Sequence, residues 1–280
     1  MKTESKGKFF IFAGKSGGKH NRLSTCLTKL GPAGGIALMV LAWELLTVVL
    51  AVPHYLIPRP SNIGRSMVDQ WPYLRLHAWV TIMETLGGFT LGAGSSIVFA
   101  LFTVYVPAAK QLITPYLTII QAVPKVALAP LFVIWFGFGL QTNIIFTALL
   151  CFFPVFLNLI TGLQDVNESE QRLMESYNAS KWQVFCHVHI YRALPYLFAG
   201  FKLSSVLAVI GAVVSEFYAG DSGLGYYMVQ MQNQIRTKET FAALVLLTAI
   251  ALLFFELFDQ LQAILTPWGR SKRAQVANVV

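Results

Sequence analysis

Two ionisable residues, Lys125 and Glu216, fall within or at the end of long hydrophobic stretches, and charges in such a setting are where chemistry is sought first. A lysine in hydrocarbon costs about 2.5–3.5 kcal/mol on insertion scales, which directs it to a bundle interior, to water or to an interface. Lys125 therefore reads either as lining a pathway or gate, or as a side chain snorkelling along a helix broken by Pro124 and Pro130. Glu216 is followed by Gly220, Gly223 and Gly225, which permit a re-entrant turn. It reads as a gate or dimer-contact residue, or as a plain helix-end carboxylate. Glu256 and Asp259, one helical turn apart, read as structural, whereas Glu44 and Glu84 could bond across helices and take no assigned role.

Catalytic constellations are absent from the sequence. Gly14-Lys15-Ser16-Gly17-Gly18-Lys19 invites a phosphate-loop reading, but that motif needs Ser or Thr after its lysine, and Lys19 is followed by His20 at the wrong spacing from Gly14. The chain is thus expected to carry no ATPase of its own. HExxH does not occur, and no nucleophile and base stand at a recognisable spacing. His187 and His189, two apart on an expected helix, point to different faces and make a poor metal pair. Cys26, Cys151 and Cys186 are scattered, so no structural disulfide is expected. No catalytic residue, metal or cofactor is expected.

One polar interruption stands out between hydrophobic stretches, from Gln164 to Tyr196. Asn167 precedes Glu168, Ser169 and Glu170 as an N-cap with an acidic residue at the third helical position, so a helix should start there. It should close at Asn178, since asparagine is second only to glycine at the left-handed residue that ends a helix. Ser180 then caps a second helix carrying Trp182, Val184, Phe185 and Val188. Pro195 suits the first turn of the next hydrophobic helix, where its missing N–H costs little. The expected product is a compact knob of two short helices.

The elements that position these residues follow from composition. The hydrophobic fraction is 55%, mean hydropathy is +0.59, and only 12% of residues are charged, half the usual share of a soluble domain. Six apolar runs near 32–52, 79–104, 112–136, 143–163, 197–218 and 241–265 are long enough to cross a bilayer. The chain reads as an all-α polytopic membrane bundle, because the period-two alternation of a β-barrel is missing. Gly137 to Thr142 supplies a tight turn between the third and fourth spans. Gly87, Gly88, Gly92 and Gly94 suit close helix packing, with a hinge as the alternative, and Trp71, Trp135 and Trp268 suit an interfacial belt.

Lysine and arginine gather on the cytoplasmic side of membrane proteins. With the amino terminus inside, fifteen cations fall inside and five outside, Lys202 being counted with the cytoplasmic loop and Lys125 with a span. Both termini and the 164–196 loop are therefore expected in the cytoplasm. The net charge of +8 needs no nucleic acid. Residues 1–30 form a basic tail without signal-peptide character, residues 31–266 the membrane domain, and residues 267–280 a second basic tail.

The run Leu173-Met174-Glu175-Ser176-Tyr177-Asn178-Ala179-Ser180-Lys181-Trp182-Gln183, with Ala193-Leu194-Pro195 behind it, resembles the cytoplasmic loop of binding-protein-dependent ABC importer permeases. Two positions depart from that loop: Arg172-Leu173-Met174 stands at its Glu-Ala-Ala start, and Asn178 replaces its glycine. Gln121 to Leu131, Trp135 to Gly139, and Ala212 to Phe217 with Gly220, Gly223, Leu224, Gly225 and Tyr226 are similar to the nitrate, sulfonate, taurine and vitamin-precursor branch. The lean is toward permeases for riboflavin or hydroxymethylpyrimidine-type precursors.

The resemblance implies a type I ABC importer permease fold in the bacterial plasma (inner) membrane. It also implies separate ATP-binding cassette subunits, an extracytoplasmic solute-binding protein and a second permease copy, a homodimer. Glu175, Ser176, Tyr177, Asn178, Ala179, Ser180 and Trp182 would form the ATPase-docking loop. Lys125 and Glu216 would line the translocation pathway or gate. An ion-gradient-driven secondary transporter is the rival class, but no inverted repeat or matched pair of broken helices is visible.

Overall fold

A computed structural model describes residues 31–106, 119–120 and 122–269. The first basic tail, the second beyond residue 269, and the first part of the third expected span lie outside the described residues. The chain divides into two compact units, Met1–Val52 and Pro53–Val280. The first contributes one described helix, α1 (Gly31–Val49), about 28 Å long and apolar along its length, in keeping with the first expected span.

All regular elements among the described residues of the second unit are helical. Its elements are α2 (Pro60–Asp69), α3 (Trp71–Tyr105), a 3₁₀ turn (Lys125–Leu128) leading into α4 (Ala129–Phe136), α5 (Leu140–Gln164) and α6 (Glu168–Ser176). After these come α7 (Lys181–Ala219), α8 (Leu224–Asn233) and α9 (Thr237–Leu265). Helices α3, α5, α7 and α9 are each long and apolar enough to span a membrane, which confirms four of the six expected spans as continuous helices. Proline at the first turn starts α2, α3 and α4, where its missing donor is no loss.

Three expectations need correction. The third span is not one helix: Pro124 has no N–H to give, and the chain passes through an extended residue there and a 3₁₀ turn before α4. The second knob helix does not end before the fifth span. It runs on as α7 through a π turn at Phe185–His189, so Pro195 lies inside a helix rather than at its first turn. The Gln262 side chain donates to the Pro195 carbonyl at 3.3 Å, the sort of neighbouring contact that makes an interior proline tolerable in a membrane helix. Lys202 is likewise no loop residue. It is buried on α7 and pairs with Asp259 of α9 at 2.6 Å, which supplies the counter-charge that an apolar setting demands.

The packing of α3, α5 and α7 depends on small residues. A Cβ on Gly92 of α3 would stand 2.5 Å from the Ala148 carbonyl oxygen, and one on Gly88 2.4 Å from Thr147, so both glycines let α5 approach closely. Gly94 meets nothing within 4 Å and has no part in that contact, contrary to expectation. On the other side of α5, Gly200 and Gly211 of α7 come within 3.0 Å of Val155 and Thr147 backbone atoms, measured from an added Cβ. Ser204 Oγ donates to the Cys151 carbonyl at 2.9 Å and Ser96 Oγ to the Phe152 carbonyl at 2.7 Å, fastening the same helices with polar contacts. Phe89, Phe201, Phe254 and Phe258 close the seam between α3, α7 and α9.

These pairings set α3 parallel to α5 and α7 antiparallel to both. One end of the unit gathers the 164–196 segment and the end of α9. The opposite end gathers the start of α3, the start of α5, the end of α7, and α8.

Candidate functional site

The knob is built by two linked backbone motifs. Asn178 adopts φ +51°, the left-handed conformation expected from its sequence position. Its N–H donates to the Glu175 carbonyl at 2.9 Å, and the Ala179 N–H to the Met174 carbonyl at 3.0 Å, the paired bonds of a Schellman closure. One residue later, Ser180 and Gln183 form a reciprocal capping box, with Ser180 N donating to Gln183 Oε1 at 2.8 Å and Gln183 N to Ser180 Oγ at 3.3 Å. Asn167 occupies the cap position of α6 with extended backbone but makes no side-chain cap bond. Glu168 and Glu170 in the first turn still favour the helix dipole.

Exposure falls unevenly on this turn. Tyr177 and Trp182 are 76% and 70% exposed, large aromatic surfaces held on a stiff turn. Glu175, Ser176, Asn178 and Ser180 are exposed beside them, and Ala179 is half-buried. The structure thus brings all seven expected docking residues into one projecting turn. Arg172 makes only a surface pair with Glu168 of the same helix at 3.2 Å, which is of little energetic consequence.

The knob is tied to α7 at its base. Arg192 forms a two-pronged ion pair with Glu170, and Tyr196 Oη donates to Asp165 at 2.7 Å. His189 Nδ1 lies 2.9 Å from the Leu163 carbonyl. Trp268 stacks on Tyr191 with ring centroids 3.9 Å apart, so its place is explained by a specific partner rather than by an interfacial belt alone. A cavity of about 670 Å³ opens between these contacts, lined by Met174, Tyr191, Arg192, Tyr196 and Trp268 among others.

At the opposite end, Glu216 is buried, 1% exposed, and organises the start of α8. Gly223 precedes that helix with φ +102°, so α8 has no side chain of its own at the cap position. Its first amides are capped instead from other helices. The Gly223 N–H donates to His77 Nδ1 at 3.1 Å, the Leu224 N–H to Thr81 Oγ1 at 2.8 Å, and the Gly225 N–H to Glu216 Oε2. Thr81 Oγ1 also donates to Glu216 Oε1 at 2.6 Å. A carboxylate at a helix N-terminus is favoured by the exposed amides and the dipole together. A Cβ on Gly223 would fall 2.3 Å from the Glu216 carboxyl carbon, so glycine is required there for space as well as for backbone conformation.

Glu84, unassigned from sequence, belongs to this cluster. It is buried, lies one helical turn beyond Thr81, and accepts from Asn143 Nδ2 of α5 at 2.7 Å. The signal was present in the sequence: His77, Thr81, Glu84, Thr85 and Gly88 recur at three- and four-residue steps, one polar stripe on an apolar helix.

Lys125 stands elsewhere. Its amine lies 4.9 Å from the centroid of the buried Phe153 ring on α5, a cation–π contact that lowers the cost of an ammonium group at the helix break. Phe153 is ten residues beyond Asn143 along α5, about 15 Å, so the two expected pathway residues do not form one site.

Residues 86–271 match the family model described as binding-protein-dependent transport system inner membrane component. The chain is 30% identical over 244 residues to the formylaminopyrimidine transport permease protein ThiX of Halalkalibacterium halodurans, covering 87% of this chain and 97% of that one. It is 30% identical over 247 residues to the riboflavin transport system permease protein RibX of Chloroflexus aurantiacus, covering 86% and 91%. Among solved structures, an amino acid ABC transporter crystallised with histidines aligns with a TM-score of 0.57 at 20% identity, over 72% of this chain and 96% of that one, a likeness of fold.

Proposed function

The chain belongs to the family of binding-protein-dependent transport system inner membrane components, as the permease subunit of an ABC importer, and from that premise we propose how it works. The solute is a small heteroaromatic vitamin precursor of the pyrimidine or riboflavin kind, a reading supported by the relatives' transport roles. ATP is hydrolysed on separate ATPase subunits, and a binding protein delivers solute from outside. Two copies of the permease pair in the bacterial plasma membrane with both termini in the cytoplasm. That orientation rests on the cation bias, which survives the removal of Lys202 from the loop.

The observation that carries the mechanism is the exposed Tyr177 and Trp182 on a turn fixed by a Schellman closure and a capping box. Each knob seats in a cleft of an ATPase subunit. Closure of the ATPase pair moves the knobs, and Glu170–Arg192 and Asp165–Tyr196 pass the displacement to α7 without a soft joint. Because α7 runs unbroken from the knob to Glu216, the far end moves with it, and packed helices switch between discrete arrangements rather than bending. The Glu216 cluster, which holds α8 against α3, is the gate. Lys125 lines the path at the break in the third span.

Reconstitution tests this reading. Proteoliposomes holding the permease with its ATPase and binding protein should take up a pyrimidine precursor or riboflavin only with ATP inside the ATPase compartment. Uptake of a sulfonate, taurine or nitrate instead would transfer the solute assignment to that branch. Uptake driven by an ion gradient without ATP would overturn the mechanism.

A further inference from the structure

The cavity at the base of the knob has the dimensions and walls of a small-molecule site. Its volume of about 670 Å³ falls within the range of about 300–1,000 Å³ common for such sites. Three elements wall it: α6 through Met174, α7 through Tyr191 and Tyr196, and the end of α9 with the 3₁₀ turn behind it through Gln262 and Trp268. Tyr191, 48% exposed, and the Trp268 ring stacked on it with planes 13° apart make one flat aromatic wall. Such a wall receives a planar ring face to face. The polar lining mostly accepts hydrogen bonds. Arg192 spends Nε and Nη2 on Glu170, and Tyr196 spends its O–H on Asp165. Gln262 commits Nε2 to the Pro195 carbonyl and keeps Oε1 as an acceptor, and a carboxylate that holds one donor has lone pairs for more. His187 Nδ1 lies 2.9 Å from the Gln183 carbonyl, so it carries the proton, and Nε2 accepts in the neutral ring. Among the described lining residues two carboxylates stand against one guanidinium, an excess of negative charge that opposes a phosphate or any other anion.

We propose that this cavity binds a neutral or singly cationic heteroaromatic ring bearing N–H donors, an aminopyrimidine in particular, stacked on the Tyr191–Trp268 wall with its donors on Asp165 and Gln262. The site is regulatory. The Glu170–Arg192 and Asp165–Tyr196 contacts, through which the knob moves α7, are two of its walls. A ring seated between them braces α6, α7 and the end of α9 at one spacing and opposes the displacement that couples ATP hydrolysis to transport. Solute accumulated in the cytoplasm thereby slows its own entry. That feedback role rests on the solute and orientation readings above, whereas the preference for a donor-bearing ring stands on the lining alone.

Calorimetric titration of the full-length permease in lipid nanodiscs, without its ATPase, tests the site with an amino-substituted hydroxymethylpyrimidine as probe. One saturable site per chain is expected, with the phosphate ester of the same pyrimidine bound about tenfold more weakly or worse. Tyr191→Ala takes away half of the aromatic wall and should weaken binding about tenfold or more while the melting temperature stays within about 2 °C of wild type. Met174→Trp fills the cavity from α6 and should abolish binding without removing any polar group. Lys125→Ala, at the break in the third span, should bind as the wild type does. In the reconstituted importer, pyrimidine on the ATPase side should lower the stimulated ATP hydrolysis, and Tyr191→Ala should need about tenfold more of it for the same effect. Absence of saturable heat overturns the site, as do equal affinities in wild type, Tyr191→Ala and Met174→Trp, or loss of binding in Lys125→Ala. Binding that appears only after removal of residues 270–280 also overturns it, since the tail would then be the occupant. Uptake of a different solute by the importer would end the feedback role, while the titration of the permease alone still reports the site.

Discussion

Asn178→Pro is the perturbation that separates the knob from the membrane body most cleanly. Proline fixes φ near −65°, whereas position 178 sits at +51°, so the ring is incompatible with the turn. It also removes the N–H that bonds the Glu175 carbonyl at 2.9 Å, a loss of about 1 kcal/mol in net terms. With a misfit of about 2 kcal/mol for the wrong backbone region, the native turn is disfavoured by about 3 kcal/mol. That lowers its occupancy by roughly 100-fold. Asn178→Gly should act in the opposite sense, since glycine adopts this conformation without a Cβ penalty. The assay is co-purification of the ATPase with the permease, followed by ATP hydrolysis stimulated by loaded binding protein. Asn178→Pro should insert and purify normally but lose both the ATPase and the stimulation, while Asn178→Gly keeps both. An Asn178→Pro permease that still holds and stimulates the ATPase refutes the reasoning, because no tertiary contact outside the turn is altered.

Trp182→Ala removes a 70% exposed ring and should leave the melting temperature unchanged while weakening ATPase binding by about 2 kcal/mol, or roughly 30-fold, measured by titration. Gly92→Ala should destabilise by about 1–3 kcal/mol, because its new methyl would press on the Ala148 backbone, whereas Gly94→Ala should be silent; thermal unfolding in detergent distinguishes them. Asp259→Leu alone should destabilise more than Asp259→Leu combined with Lys202→Met, a double-mutant cycle in which the second change removes the buried ammonium group that has lost its counter-charge. Equal damage from single and double variants would show that the pair is not coupled.

Much of this molecule is legible in its sequence because hydrocarbon leaves few options. Runs of apolar residues at α3, α5, α7 and α9 have to be helices, and Asn178 with Ser180 spells out a helix closure followed by a cap. Pro195 misled because first-turn and interior prolines look alike in one dimension; the difference lies in Gln262, 67 residues away. Lys202 misled for the same reason, its partner Asp259 being on another helix. The Glu216 cluster was half visible. Its glycines announced a turn, but that the α8 amides are capped by His77 and Thr81 depends on two long-range helix contacts that local spacing does not encode. Lys125 and Glu216 looked like one class of residue and turn out to serve different places on α5, the one over Phe153 and the other near Asn143.

Site-specific crosslinking in the reconstituted complex puts the central idea to the sharpest trial. A photoreactive residue at position 177, on the exposed knob, should capture the ATPase subunit, and one at Ile235, 72% exposed at the opposite end of the second unit, should not. Capture from position 235 with none from position 177 would contradict both the coupling role of the knob and the orientation of the chain in the membrane.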